Sequence, residues 1–199
     1  MRVLALNCTL RPSPSPSSTD RMLALLEERF VRAGATWHQE RVVDHRISFG
    51  VSTDEGGHDE WPRVRALIVD ADIVVIGTPI WLGHPAGVCQ MVLERLDAEL
   101  SEIDEAGRPS MSDKVAMVAV VGNEDGAHHV SAAVLQALND VGFAVAPQSA
   151  VYWSGAAMEK VDFKDLDSIP EPVSSAVSTA ARNAWHLARL LRADPLPAA

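Results

Sequence analysis

Three short apolar runs constrain this chain more than any other feature. They are "VLAL" at 3–6, "DIVVIG" at 72–77 and "KVAMVAVVG" at 114–122. Each is rich in β-branched and aliphatic residues, and none alternates with polar positions. A strand with one wet face alternates with period two, whereas a strand covered on both faces reads as an unbroken apolar run. These runs therefore predict a parallel sheet with helices packed on both sides. "ATWHQERVV" at 35–43 is a weaker, partly alternating strand, and "FAVAPQSAVYW" at 143–153 is a fifth. Helical spacing fills the intervals. Met22, Leu23, Leu26 and Phe30 share a face in 19–33, and Val88, Val92 and Leu96 recur every four residues in 84–100. Val130, Val134, Leu138 and Val141 do the same in 127–141, with Gly142 as the stop. A stripe from Val173 to Leu191 marks 171–192, and a shorter helix covers 59–70. Strand and helix alternate throughout, which predicts an α/β fold with a three-layer, doubly wound, five-stranded parallel sheet.

The 199 residues suit one domain with a sizeable core, expected over 1–192, with 193–199 as a frayed tail. A hydrophobic content of 47% is too high for a disordered chain. No apolar run approaches the roughly 20 residues of a membrane helix, and residues 1–10 do not read as a secretory leader. Two cysteines, Cys8 and Cys89, argue against a disulfide framework and for a reducing, cytoplasmic setting. A formal charge of −10 with no basic stripe disfavours nucleic acid as a partner. The histidines show no metal-ligand spacing, so no metal site is expected, and no G-x-S-x-G elbow marks a hydrolase. The acidic run 54–60 reads as a solvated loop.

A doubly wound sheet binds its ligand beyond the carboxyl ends of its strands, where the strand order reverses. Three unusual loops fall there. The first is "NCTLRPSPSPSSTD" at 7–20, in which Thr9, Ser13, Ser15, Ser17, Ser18 and Thr19 bring hydroxyls to a helix start and Arg11 adds a cation. A helix N-terminus carries free N–H donors and the positive end of a dipole, which suits phosphate. Prolines at 12, 14 and 16 stiffen the loop. The alternative is an ordinary helix capped by Ser18. The pattern is neither a Walker loop nor a dinucleotide fingerprint. The second loop, "GTPIWLGHPAG" at 77–87, supplies Trp81 and Leu82 as flat apolar surface for a planar heteroaromatic ligand, or a core tryptophan beneath a loop. The third, "GNEDGAHH" at 122–129, offers Gly122 for a tight turn and Asn123 for a polar edge, and Asp125 as a helix cap. Tyr152 and Trp153 either border the site or pack beneath it. Cys8 reads as a reactive thiol or a small buried hydrophobe.

Together these loops resemble the NADPH-dependent FMN reductase-like flavoproteins. "TPIWLGHPAGVCQMVLERLD" is similar to their T-P-[IE]-Y-x-G-S-x-[PS]-x-x-L-K-x-x-[IL]-D segment, "CTLRPSPSPSSTDRML" to their G-S-x-R-x-x-S-N-T-x-x-L loop, and "GNEDGAHH" to T-G-N-E-D-G-A. The likeness spans about residues 1–155 and departs at Asn7-Cys8, Ser18 and His84. It implies a flavodoxin-like fold, FMN as cofactor and NAD(P)H as co-substrate. By position, Thr9, Arg11, Ser15, Ser17, Ser18 and Thr19 would surround the phosphate. Thr78, Pro79, Ile80, Trp81, Leu82 and Gly83 would hold the isoalloxazine, and Gly122 and Asn123 would close the pocket. No side chain is expected to act as a catalytic acid or base, because the flavin carries the hydride chemistry. The resemblance further implies a small acceptor such as a quinone and a homodimer or homotetramer. The competing expectations are an electron carrier or sensor that NAD(P)H does not reduce, and a flavin-free α/β interaction module.

Overall fold

The unbroken apolar runs are explained by where their side chains go. In β1 (Arg2–Asn7), Val3 and Ala5 face one core with Met22, Phe30 and Ala184, while Leu4 and Leu6 face a second core with Val64 and Val92. Alternate residues thus serve opposite layers, and both layers are dry. The same division holds in β3 (Ile73–Trp81) and β5 (Val115–Gly122). The protein is described by a computed structural model over residues 1–157 and 160–197.

The sheet runs in the order β2-β1-β3-β5-β6, with β2 at Thr36–Arg41 and β6 at Ala144–Ser154, and these five strands are parallel. Helices α1 (Ser18–Arg32) and α5 (Glu171–Ala193) cover one face, and α2 (Trp61–Asp70), α3 (Gly87–Leu96) and α4 (Ala127–Asp140) cover the other. The strand order reverses between β1 and β3, so the loops after those strands lie side by side at one edge. Gly142 follows α4 with φ of 110° and donates its N–H to Asn139 O at 3.0 Å, which stops the helix.

Several expectations are corrected. The third helix starts at Gly87 rather than 84, because His84 and Pro85 form a sixth, two-residue strand, β4, antiparallel to Trp81 and Ile80. Past Leu96 it tightens into a 3₁₀ turn at Asp97–Ser101. The acidic run 54–60 is not wholly solvated: Asp59 pairs with Arg95 at 2.8 Å, and neither side chain has exposed surface. Arg95 also donates to Ser48 O and Ser52 O, each at 2.8 Å. Asp59 accepts the N–H groups of Ser48, Glu55 and Trp61. Burial pushes the Asp59 carboxyl up, but those N–H donors and Arg95 outweigh it and hold it below the usual carboxylate range. Within the expected tail, the Leu196 N–H donates to Asp113 at 2.8 Å and its carbonyl accepts from Arg108 at 3.2 Å, both exposed contacts. Residues 198 and 199 of that expected tail lie outside the described residues.

Candidate active site

The first loop is organised by residues outside its hydroxyl run. Asn7 ends β1 with its side chain fully buried. Its Oδ1 accepts the Thr9 N–H at 3.0 Å, and its Nδ2 donates to Asp20 Oδ1 at 2.5 Å. Asp20, in the first turn of α1, also accepts from Ser17 at 3.1 Å and Gln39 at 3.0 Å, and forms a salt bridge with Arg41. Arg41 reaches on to the carbonyls of Arg11 at 3.1 Å and Ser15 at 2.7 Å. Farther along, the Ser13 N–H donates to Asp44 at 2.8 Å, and hydrogen bonds from Ser13 hold that carboxyl below the usual range. Ten residues of irregular backbone are thereby pinned from β2 and the turn after it. The N-cap of α1 is Ser17 rather than Ser18, since the Ser17 hydroxyl accepts the Asp20 N–H at 3.0 Å. The first-turn N–H groups of Ser18 and Thr19 have no intrahelical acceptor. Thr19 is buried and packs against β3 at Gly77, where a Cβ would come within 2.8 Å of its methyl.

The second loop is a tight hairpin. Leu82 and Gly83 take φ of 53° and 77°, a two-residue turn with both central residues left-handed. Thr78 is buried. Its hydroxyl accepts the Ala86 N–H at 3.1 Å and donates to Pro79 O at 3.1 Å, so it shapes the strand exit rather than facing outward. The third loop meets the second at Gly126, where a Cβ would lie 2.8 Å from Gly83 Cα. Glu124 fastens the two loops by accepting the Leu82 N–H at 2.9 Å. A Cβ on Gly122 would come within 2.8 Å of the Ile80 side chain, so that strand pair closes only with glycine there.

Between these loops lies a cleft of about 630 Å³. Of the expected residues, Thr9, Arg11, Ser17, Ser18, Thr19, Pro79, Ile80, Trp81, Gly122 and Asn123 line it. Ser15, Thr78, Leu82 and Gly83 do not. Ser15 turns its carbonyl to Arg41, and Leu82 stands 90% exposed at the hairpin tip. Trp153 lines the cleft, whereas Tyr152 faces away and bonds His128 at 2.9 Å. Cys8 is buried, and a hydrogen bond with the Cys89 thiol, with burial, pushes its pKa well up, so the thiol stays protonated.

Sequence reasoning missed the fourth wall. Asp162 and Lys164, on the connector between β6 and α5, also line the cleft. No local signal marks them; they arrive there through α1. Arg21 donates to the carbonyls of Phe163, Lys164 and Leu166 at 2.9, 2.8 and 2.7 Å. Glu124 was missed too, although it sits inside the quoted "GNED" and adjoins Asn123. The cleft is thus lined by N–H groups and hydroxyls of the first loop, by Arg11 and Lys164, by the carboxylates of Glu124 and Asp162, and by Ile80, Trp81 and Trp153 as apolar walls. That donor set suits an anionic, planar heteroaromatic molecule, and the volume falls within the roughly 300–1,000 Å³ of small-ligand sites.

The family model described as NADPH-dependent FMN reductase matches residues 1–158. The chain belongs to this family. This is a family of flavin-dependent oxidoreductases that use FMN as cofactor and NAD(P)H as co-substrate, and the chain has its flavodoxin-like fold. Among similar proteins, an 8-demethyl-8-aminoriboflavin-5'-phosphate synthase from Streptomyces davaonensis is 31% identical, covering 98% of this chain and 80% of that one. A divalent metal cation transporter MntH of Mycobacterium bovis is 34% identical over 97% of this chain, which spans 29% of that protein's length. The crystal structure of RosB with the bound intermediate 8-demethyl-8-formylriboflavin-5'-phosphate superposes with a TM-score of 0.89 at 32% identity, covering 98% and 82% of the two chains. An apo NADH:FMN oxidoreductase structure, at TM-score 0.65 and 14% identity over 98% and 91%, shares the fold. Among the described residues, no helix is long and apolar enough to cross a membrane.

Proposed function

We propose that this chain binds FMN in the cleft and uses it to pass a hydride or electrons from NAD(P)H to a small acceptor such as a quinone. The observation that carries the reading is the lining of the cleft, which joins phosphate-type donors at the start of α1 to the apolar side chains of Ile80, Trp81 and Trp153. FMN, when bound, supplies the hydride chemistry. The protein's residues bind and orient it. The hydroxyls of Thr9 and Ser18 and the free first-turn N–H groups of Ser18 and Thr19 are offered to the phosphate, with Arg11 beside them, while Ser17 caps the helix. Ile80 and Trp81 take the ring system, and the backbone around Gly122 and Asn123 meets its polar edge. Half-exposed Trp81 leaves room for a nicotinamide to stack at roughly 3–3.5 Å. Exposed Trp81 and Leu82 also support a homodimer or homotetramer that completes the site; a monomeric mass by light scattering would count against it.

A second reading has its own support. The Streptomyces davaonensis relative makes an aminated riboflavin phosphate, and the RosB structure holds a formylated one. In that reading the flavin is a substrate and leaves the site chemically altered.

One experiment separates the two. FMN-loaded protein is mixed anaerobically with excess NADPH or NADH, a second portion is incubated in air with an amino acid as amine donor, and the flavin of each is afterwards recovered and weighed by mass spectrometry. Bleaching within seconds with FMN of unchanged mass supports the oxidoreductase. Recovery of a mass-shifted flavin supports the second reading. No bleaching by either nucleotide, with prompt bleaching by dithionite, replaces the first reading with a carrier or sensor.

A further inference from the structure

Asp162 and Lys164, on the connector after β6, lie beyond the region matched by the family model, yet they form a wall of the cleft. It is a built wall. Arg21 holds three of its carbonyls and its guanidinium lies 5.7 Å from the Phe163 ring centre. Trp153 packs on Phe163 with ring centres 5.4 Å apart. Asn123 donates to Asp162 at 2.8 Å, and the Lys164 N–H donates to the Ser18 hydroxyl at 3.2 Å. That last bond puts Lys164 against the first residue of α1.

Charge makes this placement informative. Arg21 and Arg41 are consumed by carbonyls and by Asp20. Among the described residues that line the cleft, only Arg11 and Lys164 are cationic. The chain as a whole carries −10, so an anion needs local positive charge. Lys164 touches two carboxylates, Asp162 at 3.3 Å and the adjacent Asp165. The Asp165 carboxylate holds its ammonium above the usual lysine range. An ammonium has three donors, so one is left for a third oxygen.

We infer that Lys164 is a ligand of the FMN phosphate, supplied by the connector and held over the start of α1 by the Ser18 and Arg21 contacts. The inference rests on the proposed placement of the phosphate at α1. Asp162 links this cation to Asn123 on the third loop, so the phosphate end and the ring end of the cleft share one polar chain.

The test compares two ligands that differ only in the phosphate. Apo-protein is titrated with FMN and with riboflavin by flavin fluorescence, for wild type, Lys164→Met and Lys164→Arg. Methionine keeps the aliphatic stem and removes the charge. The expected result is that K164M loses about tenfold or more in FMN affinity, the scale of one charge-assisted hydrogen bond, with riboflavin affinity changed less than twofold and most FMN affinity restored in K164R. Wild-type FMN binding should also weaken more steeply with salt than that of K164M. Unchanged FMN affinity in K164M overturns the inference, as does an equal loss for both ligands, which would make Lys164 only part of the wall. If wild type itself binds FMN no better than riboflavin, the placement of the phosphate falls and takes the inference with it.

Discussion

Arg41, the last residue of β2, forms a salt bridge with Asp20 in the first turn of α1, and the same guanidinium holds the carbonyls of Arg11 and Ser15. A residue on a neighbouring strand therefore sets the shape of the proline-serine loop. The Arg41 side chain is only 9% exposed and Asp20 is 29% exposed, so loss of the arginine leaves a half-buried carboxylate with only hydrogen bonds. Arg41→Met is expected to lower stability by about 2 kcal/mol, less than the 3–5 typical of a fully buried pair. It should also weaken FMN binding, measured by titration beside a urea melt. Wild-type FMN affinity in a destabilised variant would show that the loop keeps its shape without this clamp.

Ser17 caps α1 and Ser18 accepts from the connector, so the two adjacent hydroxyls have separable roles. Ser17→Ala should cost about 1 kcal/mol of stability, the usual worth of an N-cap. Ser18→Ala should cost less stability and act mainly on FMN affinity. Thermal melts and flavin titrations of the two single variants distinguish these effects. Equal effects of both on both measurements would remove the division of labour.

Gly126 has φ of 110°, and its missing Cβ would collide with the Gly83 backbone. Gly126→Ala is expected to destabilise by about 2 kcal/mol or more, combining left-handed strain with displacement of the hairpin. Gly56→Ala is a useful contrast, because it also has positive φ at 76° but has open space around it. Its loss should be backbone strain alone, with the flavin site untouched.

Asp59 and Arg95 form a pair without exposed surface, and Asp59 titrates below the usual carboxylate range. A depressed folded-state pKa stabilises the protein above the unfolded value of about 4, and that stability is lost as pH falls through the folded value. Asp59→Asn should lower stability by about 3–5 kcal/mol at neutral pH, because Arg95 is left buried and unpaired. The gap from wild type should narrow as pH drops below about 4. Urea melts across pH 3 to 7 test this; a gap that is constant with pH would mean the charge of Asp59 contributes nothing.

Much of this architecture was legible beforehand because it depends on local periodicity. The runs at 3–6, 72–77 and 114–122 announced strands with two dry faces, and the two cores on either side of β1 are the reason. Met22 to Phe30 announced the buried face of α1 for the same kind of reason. The site's location followed from strand order, and its three loops from their odd composition. The face occupied by Trp153 was not legible. In β6 the pairing with β5 slips between residues 116 and 118, where Val145 and Ala150 flank extra residues and Gln148 has φ of 62°. Such a bulge resets the two-residue alternation, so counting along the strand cannot say which of Tyr152 and Trp153 meets the cleft.

By itself, the sequence determined the layers, the strand candidates and the edge that carries the cleft, because hydrophobic period and loop composition are properties of neighbours in the chain. Only the tertiary structure decided which charges meet. Arg41 reaches Asp20 across 21 positions, Arg65 reaches Glu99 across 34, and Arg95 meets Asp59 in a place without solvent. An isolated aspartate or lysine in a polar stretch reads as solvated, since its neighbours in sequence are solvated. Whether it is instead buried, paired or turned into a binding site depends on what the fold packs against it, and burial is what makes such a pairing strong.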